Sequence, residues 1–119
     1  MGVVLELDNV KPKLSGLTSW YIVIPVSRVG RRASELLYTK CRVSILEVVS
    51  PRRVPVDPPI SYTYYTRRCL PYRVCCLIPK QYVRLLEMLS GLEFSKVRLK
   101  VRIELPEVEP GRIPEAWIA

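Results

Sequence analysis

Two kinds of apolar pattern run along this chain. Trp20 to Ile24 (WYIVI) and Val74 to Ile78 (VCCLI) are unbroken apolar runs rich in β-branched residues, which predicts buried strands. Cys41 to Val48 (CRVSILEV) and Ser95 to Leu105 (SKVRLKVRIEL) alternate apolar with polar, which predicts strands with one wet face or one free edge. Pro25 and Pro79 close the apolar runs and are suited to the first turn of a helix. From Lys80, KQYVRLLEMLSG puts Val83, Leu86 and Leu89 on one stripe, and Gly91 is a natural stop. From Ser27, SRVGRRASELLY groups Val29, Ala33, Leu36 and Leu37, although Gly30 weakens that helix by roughly 1 kcal/mol relative to Ala. Each helix is expected to run about 11 residues, or about 16 Å.

These pieces recur in register. Pro25 and Pro79 are 54 residues apart, as are Val43 and Val97, so strand, Ile-Pro, helix and strand repeat without a gap. The reading is one domain over 1–119, with half-repeats at about 20–49 and 74–105, a proline-rich and extended linker at 50–60, and a tail at 106–119. Val3 to Leu7 is a candidate extra strand, and Ile60 to Thr66 is β-prone. The tail ends in Ala-Trp-Ile-Ala, whose Trp117 and Ile118 are expected to dock on the body.

Two β-α-β units in tandem predict an α+β, ferredoxin-like βαββαβ sandwich, with the unbroken strands central and the alternating strands at the edges. Lysines on 96–105 would then protect an edge against aggregation. Two helices cover one face of such a sheet. The other face needs the 51–71 segment, the tail or a second subunit, which predicts a homodimer or a stable larger assembly.

IVIPVSRV (Ile22 to Val29) with CRVSILEV, and CLIPKQYV (Cys76 to Val83) with VRLKVRIE, resemble the AbrB/MazE-like swapped-hairpin DNA-binding domains over about two-thirds of the chain. That resemblance implies a tandem swapped-hairpin barrel, a single-chain pseudo-dimer whose loop arginines grip DNA. In that family a Gly-Arg pair usually enters the first strand and a Gly-Asp pair the second; here no Gly-Asp occurs, and Gly-Arg occurs only at Gly30-Arg31 and Gly111-Arg112, away from those strand entries.

Charge sharpens the picture. Nineteen Lys and Arg stand against 11 acids, net +8, with a pI near 9.6. Thirteen of the cations are Arg, the side chain suited to bidentate phosphate recognition. Such a balance points first to nucleic acid, then to an acidic protein, then to an anionic membrane surface. Lys96, Arg98, Lys100 and Arg102 would line one side of a strand for roughly 20 Å. Arg28, Arg31 and Arg32 sit at the start of the first predicted helix, where free N–H groups favour phosphate. Arg52 and Arg53 lie in the linker, and Arg67, Arg68 and Arg73 around the second unit. In YTYYTRR, Tyr62 and Tyr64 share a face and could stack unpaired bases, or simply form a cross-strand pair.

Other chemistry finds little support. Cys69, Cys75 and Cys76 do not have a zinc spacing, and there is no His to complete a site. Buried thiols, or one disulfide joining Cys69 to Cys41 or Cys75, fit the cysteines better. With no His and only Asp8 and Asp57 as aspartates, no acid–base pair, metal triad, activated nucleophile or phosphate loop is visible, so no catalysis and no cofactor are expected. The longest uncharged stretch, Leu14 to Ser27, is 14 residues and too short for a membrane span. With no secretory signal visible, a cytoplasmic protein is expected. One Asn, one Gln and 11 Pro suggest a thermophile source. The expected function is non-catalytic binding of DNA or RNA, dominated by phosphate contacts, as in a regulator, a chromatin component or a ribonucleoprotein subunit. The alternative is a structural or assembly subunit, including a virion component, that binds an acidic protein.

Overall fold

A computed structural model describes residues 2–16, 18–69 and 73–106 of the chain. In chain order the elements are β1 (Val3–Val10), β2 (Lys13–Ser15), β3 (Ser19–Val23), α1 (Val26–Val29), α2 (Ala33–Leu36), β4 (Lys40–Val48) and β5 (Val54–Tyr65). There follow β6 (Arg67–Arg68), β7 (Val74–Ile78), α3 (Lys80–Ser90), a 3-10 turn (Phe94–Lys96) and β8 (Leu99–Leu105). The strands form two four-stranded sheets, a larger one in the order β1-β8-β4-β5 and a smaller one in the order β2-β3-β7-β6. Every strand pair is antiparallel.

The core lies between the sheets. Ile22, Ile24, Val74, Cys76 and Ile78 of the smaller sheet share one buried cluster with Cys41, Val43, Ile45, Val101 and Ile103 of the larger. Burying an aliphatic side chain of this size contributes about 1.5–3 kcal/mol. The alternation of β8 is satisfied here: Leu99, Val101, Ile103 and Leu105 turn inward, while Lys100, Arg102 and Glu104 turn outward.

The two halves of the chain are interlaced about a pseudo-two-fold axis. Ile22 pairs with Cys76, its own counterpart 54 residues on. Tyr21 pairs with Leu77, and the counterparts of those two, Cys75 and Val23, pair with each other. Trp20 pairs with Ile78, while the Ile24 amide donates to the Val74 carbonyl at 2.8 Å. The flanking ladders obey the same offset, Lys13 with Tyr21 and Arg67 with Cys75. The exchange extends to the larger sheet, where β1 pairs with β8 and β5 with β4. Each half thus lends its first strand to the last strand of the other.

These findings correct the ferredoxin-like βαββαβ expectation. In that arrangement all four strands share one sheet, with the alternating strands at its edges. Here β4 and β8 are the central, antiparallel pair of their own sheet, and β3 with β7 is the central pair of another. Nor do the described strands close into a barrel, because each sheet they form keeps two edges. The second face that seemed to call for another subunit is met by the opposite sheet. The first predicted helix is two single turns, broken where Gly30 takes a left-handed φ of 76°. The second forms as expected, and Gly91 ends it in the left-handed region while donating to the Glu87 carbonyl at 2.9 Å. The predicted linker is a turn over 50–53 followed by the start of β5, an edge strand that tolerates Pro55, Pro58 and Pro59. The tail beyond Pro106, with the docking expected of Trp117 and Ile118, lies outside the described residues.

Candidate nucleic-acid interface

The sequence-predicted cations fall into three places. On the outer face of the larger sheet, β8 is flanked by β1 and β4, and both bring carboxylates. Lys100 lies 3.5 Å from Glu47, and Arg102 lies 3.3 Å from Glu6. Arg53 grips Asp8 with both guanidinium nitrogens, at 3.0 and 2.9 Å, and stands 3.6 Å from Glu47. That fork holds the Asp8 carboxyl below its ordinary pKa and raises Arg53. Lys96 is not on the strand but ends the 3-10 turn, and Arg98 is half-buried in the link to β8. The expected cationic strip is therefore a mixed lattice of both signs. The acids reach it from strands far away in sequence.

A second group surrounds the two single turns. Arg28 and Arg32 are exposed, and Arg31 donates to the Pro106 carbonyl at 2.9 Å. Helices of four residues offer no accumulated dipole for an anion, so the helix-start reading of these arginines does not hold. Nearby, Lys40, Arg42, Thr63, Glu104, Leu105 and Pro106 line a shallow cleft of about 300 Å³. Arg52 is exposed in the turn between β4 and β5.

The third group belongs to the smaller sheet. Lys11, Lys13, Arg67, Arg68 and Arg73 are all exposed, on β2, on β6 or just before β2 and β7. Lys13 and Arg67 are pseudo-two-fold counterparts at opposite edges, and the two side chains share one face. Three interstrand spacings place them roughly 15 Å apart. Arg67 reaches across that face to the Tyr21 hydroxyl, at 3.5 Å. The strands of this sheet contain no carboxylate. Among the described residues the acids sit on the larger sheet (Glu6, Asp8, Glu47, Asp57 and Glu104) or on the helical segments and their flanks (Glu35, Glu87 and Glu93).

Sequence reasoning named Arg67, Arg68 and Arg73 but missed Lys11 and Lys13. The missed signal was available. Stretches 9–34 and 58–86 contain ten cations and no acid, and they include every strand of the smaller sheet.

Tyr62 and Tyr64 play different parts. Tyr62 faces the core, stacked on Tyr82 of α3 at 5.6 Å and 19°, with its hydroxyl buried and without a partner among the described residues. Burial, then the neighbouring Cys76 and Cys41, push its pKa up. Tyr64 meets it edge-on at 6.4 Å and is partly exposed. The pair thus packs across β5 and α3, and Tyr62 has no open face for a base. Of the cysteines, Cys69 and Cys75 form a disulfide, while Cys41 and Cys76 are free and buried. A hydrogen bond to Cys76, then burial, push the Cys41 thiol up, which makes it a poor nucleophile at neutral pH.

Among the described residues no three His, Cys, Asp or Glu side chains are grouped to hold a metal ion, and no helix is long and apolar enough to cross a membrane. Comparison with protein-family models, curated proteins and solved structures finds no match, so the likeness to swapped-hairpin DNA-binding domains rests on its two short motifs alone.

Proposed function

We propose that this protein is a non-catalytic nucleic-acid-binding protein that grips the phosphate backbone with its smaller sheet. What supports the reading is the segregation of charge. Five exposed cations lie on and beside strands that carry no acid, whereas the basic residues of β8 are matched by carboxylates. Unmatched Lys and Arg release condensed counterions when they meet phosphates, and this release drives association. Contacts of this kind position the protein on the backbone and carry no sequence information themselves.

If all five cations touch phosphates, binding to duplex follows salt with a log–log slope of about −4.5, and affinity falls roughly 500-fold between about 50 and 200 mM salt. The test is a filter-binding titration of wild type, Arg67→Glu/Arg68→Glu and Lys100→Glu/Arg102→Glu on random duplex and single-stranded DNA and RNA. The first variant is expected to reduce the slope by about 2. The second is expected to leave the slope near the wild-type value. Wild-type protein that fails to bind at low salt, or binding unaffected by Arg67→Glu/Arg68→Glu, overturns the reading. The same cations suit an acidic protein, and poly-glutamate that binds as tightly as nucleic acid would favour an assembly subunit instead.

A further inference from the structure

We propose that the Cys69–Cys75 disulfide is a redox switch on the phosphate grip of the smaller sheet, opened by a dithiol reductant and closed by a small disulfide. The inference rests on the proposed function and names its regulation. Cys69 is where three strands of the cationic sheet are joined. It follows β6 directly, its sulfur is bonded to Cys75 of β7, and its carbonyl accepts from the Ser15 hydroxyl of β2 at 3.0 Å. β2 and β6 are the two outer strands of this sheet, so one residue ties together the edges that carry Lys13 and Arg67.

Among the described residues little else holds β6. It is two residues long, both exposed, and it meets β7 through the pairs Arg67 with Cys75 and Arg68 with Val74. The contact from Arg67 to the Tyr21 hydroxyl is long, at 3.5 Å. The buried Thr66 fixes one end of this arm and the buried Val74 the other. Between them lie Arg67, Arg68 and Arg73, three of the five proposed phosphate contacts. An exposed edge with so few ladder bonds belongs to the part of a fold that opens first. The pseudo-symmetry supplies a control. At the 54-residue offset the counterparts of Cys69 and Cys75 are Ser15 and Tyr21, so β2 keeps its place with three residues paired and no crosslink. The sheet itself does not demand the disulfide, which sits in the half whose edge strand is shorter.

Exposure sets the chemistry. Cys69 is partly exposed and Cys75 fully buried, so a reductant thiolate reaches the Cys69 sulfur. The S–S bond breaks and its electron pair leaves on the Cys75 sulfur, which takes a proton. The reductant's second thiolate then displaces the Cys69 sulfur, which takes another proton, and the reductant departs as a cyclic disulfide. In all, two electrons and two protons pass from the dithiol to the protein. A small disulfide reverses the exchange and regenerates the crosslink.

The test compares oxidised protein, protein reduced with dithiothreitol, and Cys69→Ser/Cys75→Ser, each checked for folding by tryptophan fluorescence. Trypsin, without nucleic acid, should cut after Arg67, Arg68 and Arg73 about tenfold faster in the reduced protein and in the variant. In filter binding to random duplex DNA, both should show a Kd raised about tenfold, because a released arm must be ordered again before it binds. Saturating duplex should favour the disulfide over the dithiol by the same factor. Equal trypsin rates, a disulfide that dithiothreitol fails to reduce in the folded protein, or equal Kd in oxidised and reduced protein would each overturn the switch and leave the grip standing. If no form binds duplex at low salt, the grip itself falls and the switch with it.

Discussion

Thr66 joins β5 to β6 where the chain passes from one sheet to the other, and it is fully buried. Its hydroxyl donates to the Leu36 carbonyl and accepts from the Thr39 amide at 2.9 Å. Its own amide donates to the Thr39 carbonyl, and its carbonyl accepts from the Tyr38 amide. Thr66→Val keeps the shape but strands a buried N–H and a buried C=O, each worth about 1–3 kcal/mol. The expected loss is roughly 2–6 kcal/mol, or about 8–24 °C in Tm for a domain of this size. Thr66→Ser keeps both hydrogen bonds and removes one methyl, for about 1 kcal/mol. Urea unfolding followed by tryptophan fluorescence ranks the variants, and the more hydrophobic residue should be the worse. If Thr66→Val proves as stable as Thr66→Ser, the hydroxyl does not hold the crossing and the argument fails.

Further outcomes are expected at three places in the fold. Tyr62→Phe removes a buried hydroxyl that has no partner among the described residues, so the protein should gain about 1 kcal/mol in urea unfolding, and a loss would reveal a hidden partner. Because the Tyr62 pKa is raised on folding, the same residue contributes stability that is complete below the unfolded value of about 10 and lost as pH rises through the folded value, which Tyr62→Phe should abolish. Asp8 has a lowered pKa, so its contribution is present above about pH 4 and lost as pH falls through the folded value; the stability difference between wild type and Asp8→Asn should shrink on acidification. An aromatic-disulfide reagent should find no thiol in the native protein, two in denaturant (Cys41 and Cys76) and four after reduction, and Cys69→Ser/Cys75→Ser should cost about 2 kcal/mol for so short a loop.

Local pattern was legible wherever neighbours in sequence decide the outcome. α3 and its Gly91 stop, the strands β3 and β7, and the inward set of β8 all follow from periodicity and terminal residues. The 54-residue offset in the prolines was legible, but the pairing of Ile22 with Cys76 across it was not. Partner choice was not legible. Alternation on β8 suits an edge strand or a central strand with one wet face, and only the pairing with β1 and β4 decides between them. The same ambiguity hid the lattice, because Glu6 is 96 residues from Arg102 and Asp8 is 45 from Arg53. Tyr62 was misjudged for a related reason: Tyr82, which covers it, comes from a different element.

The exchange of first strands between the halves has a consequence for a nicked chain. Severed in the turn around Arg52, the molecule would become two fragments, each holding half the strands of both sheets and the complete framework of neither. Neither piece should keep the structure when isolated. Mixed, they should recover it at a rate that depends on the concentration of both, as two subunits assembling would.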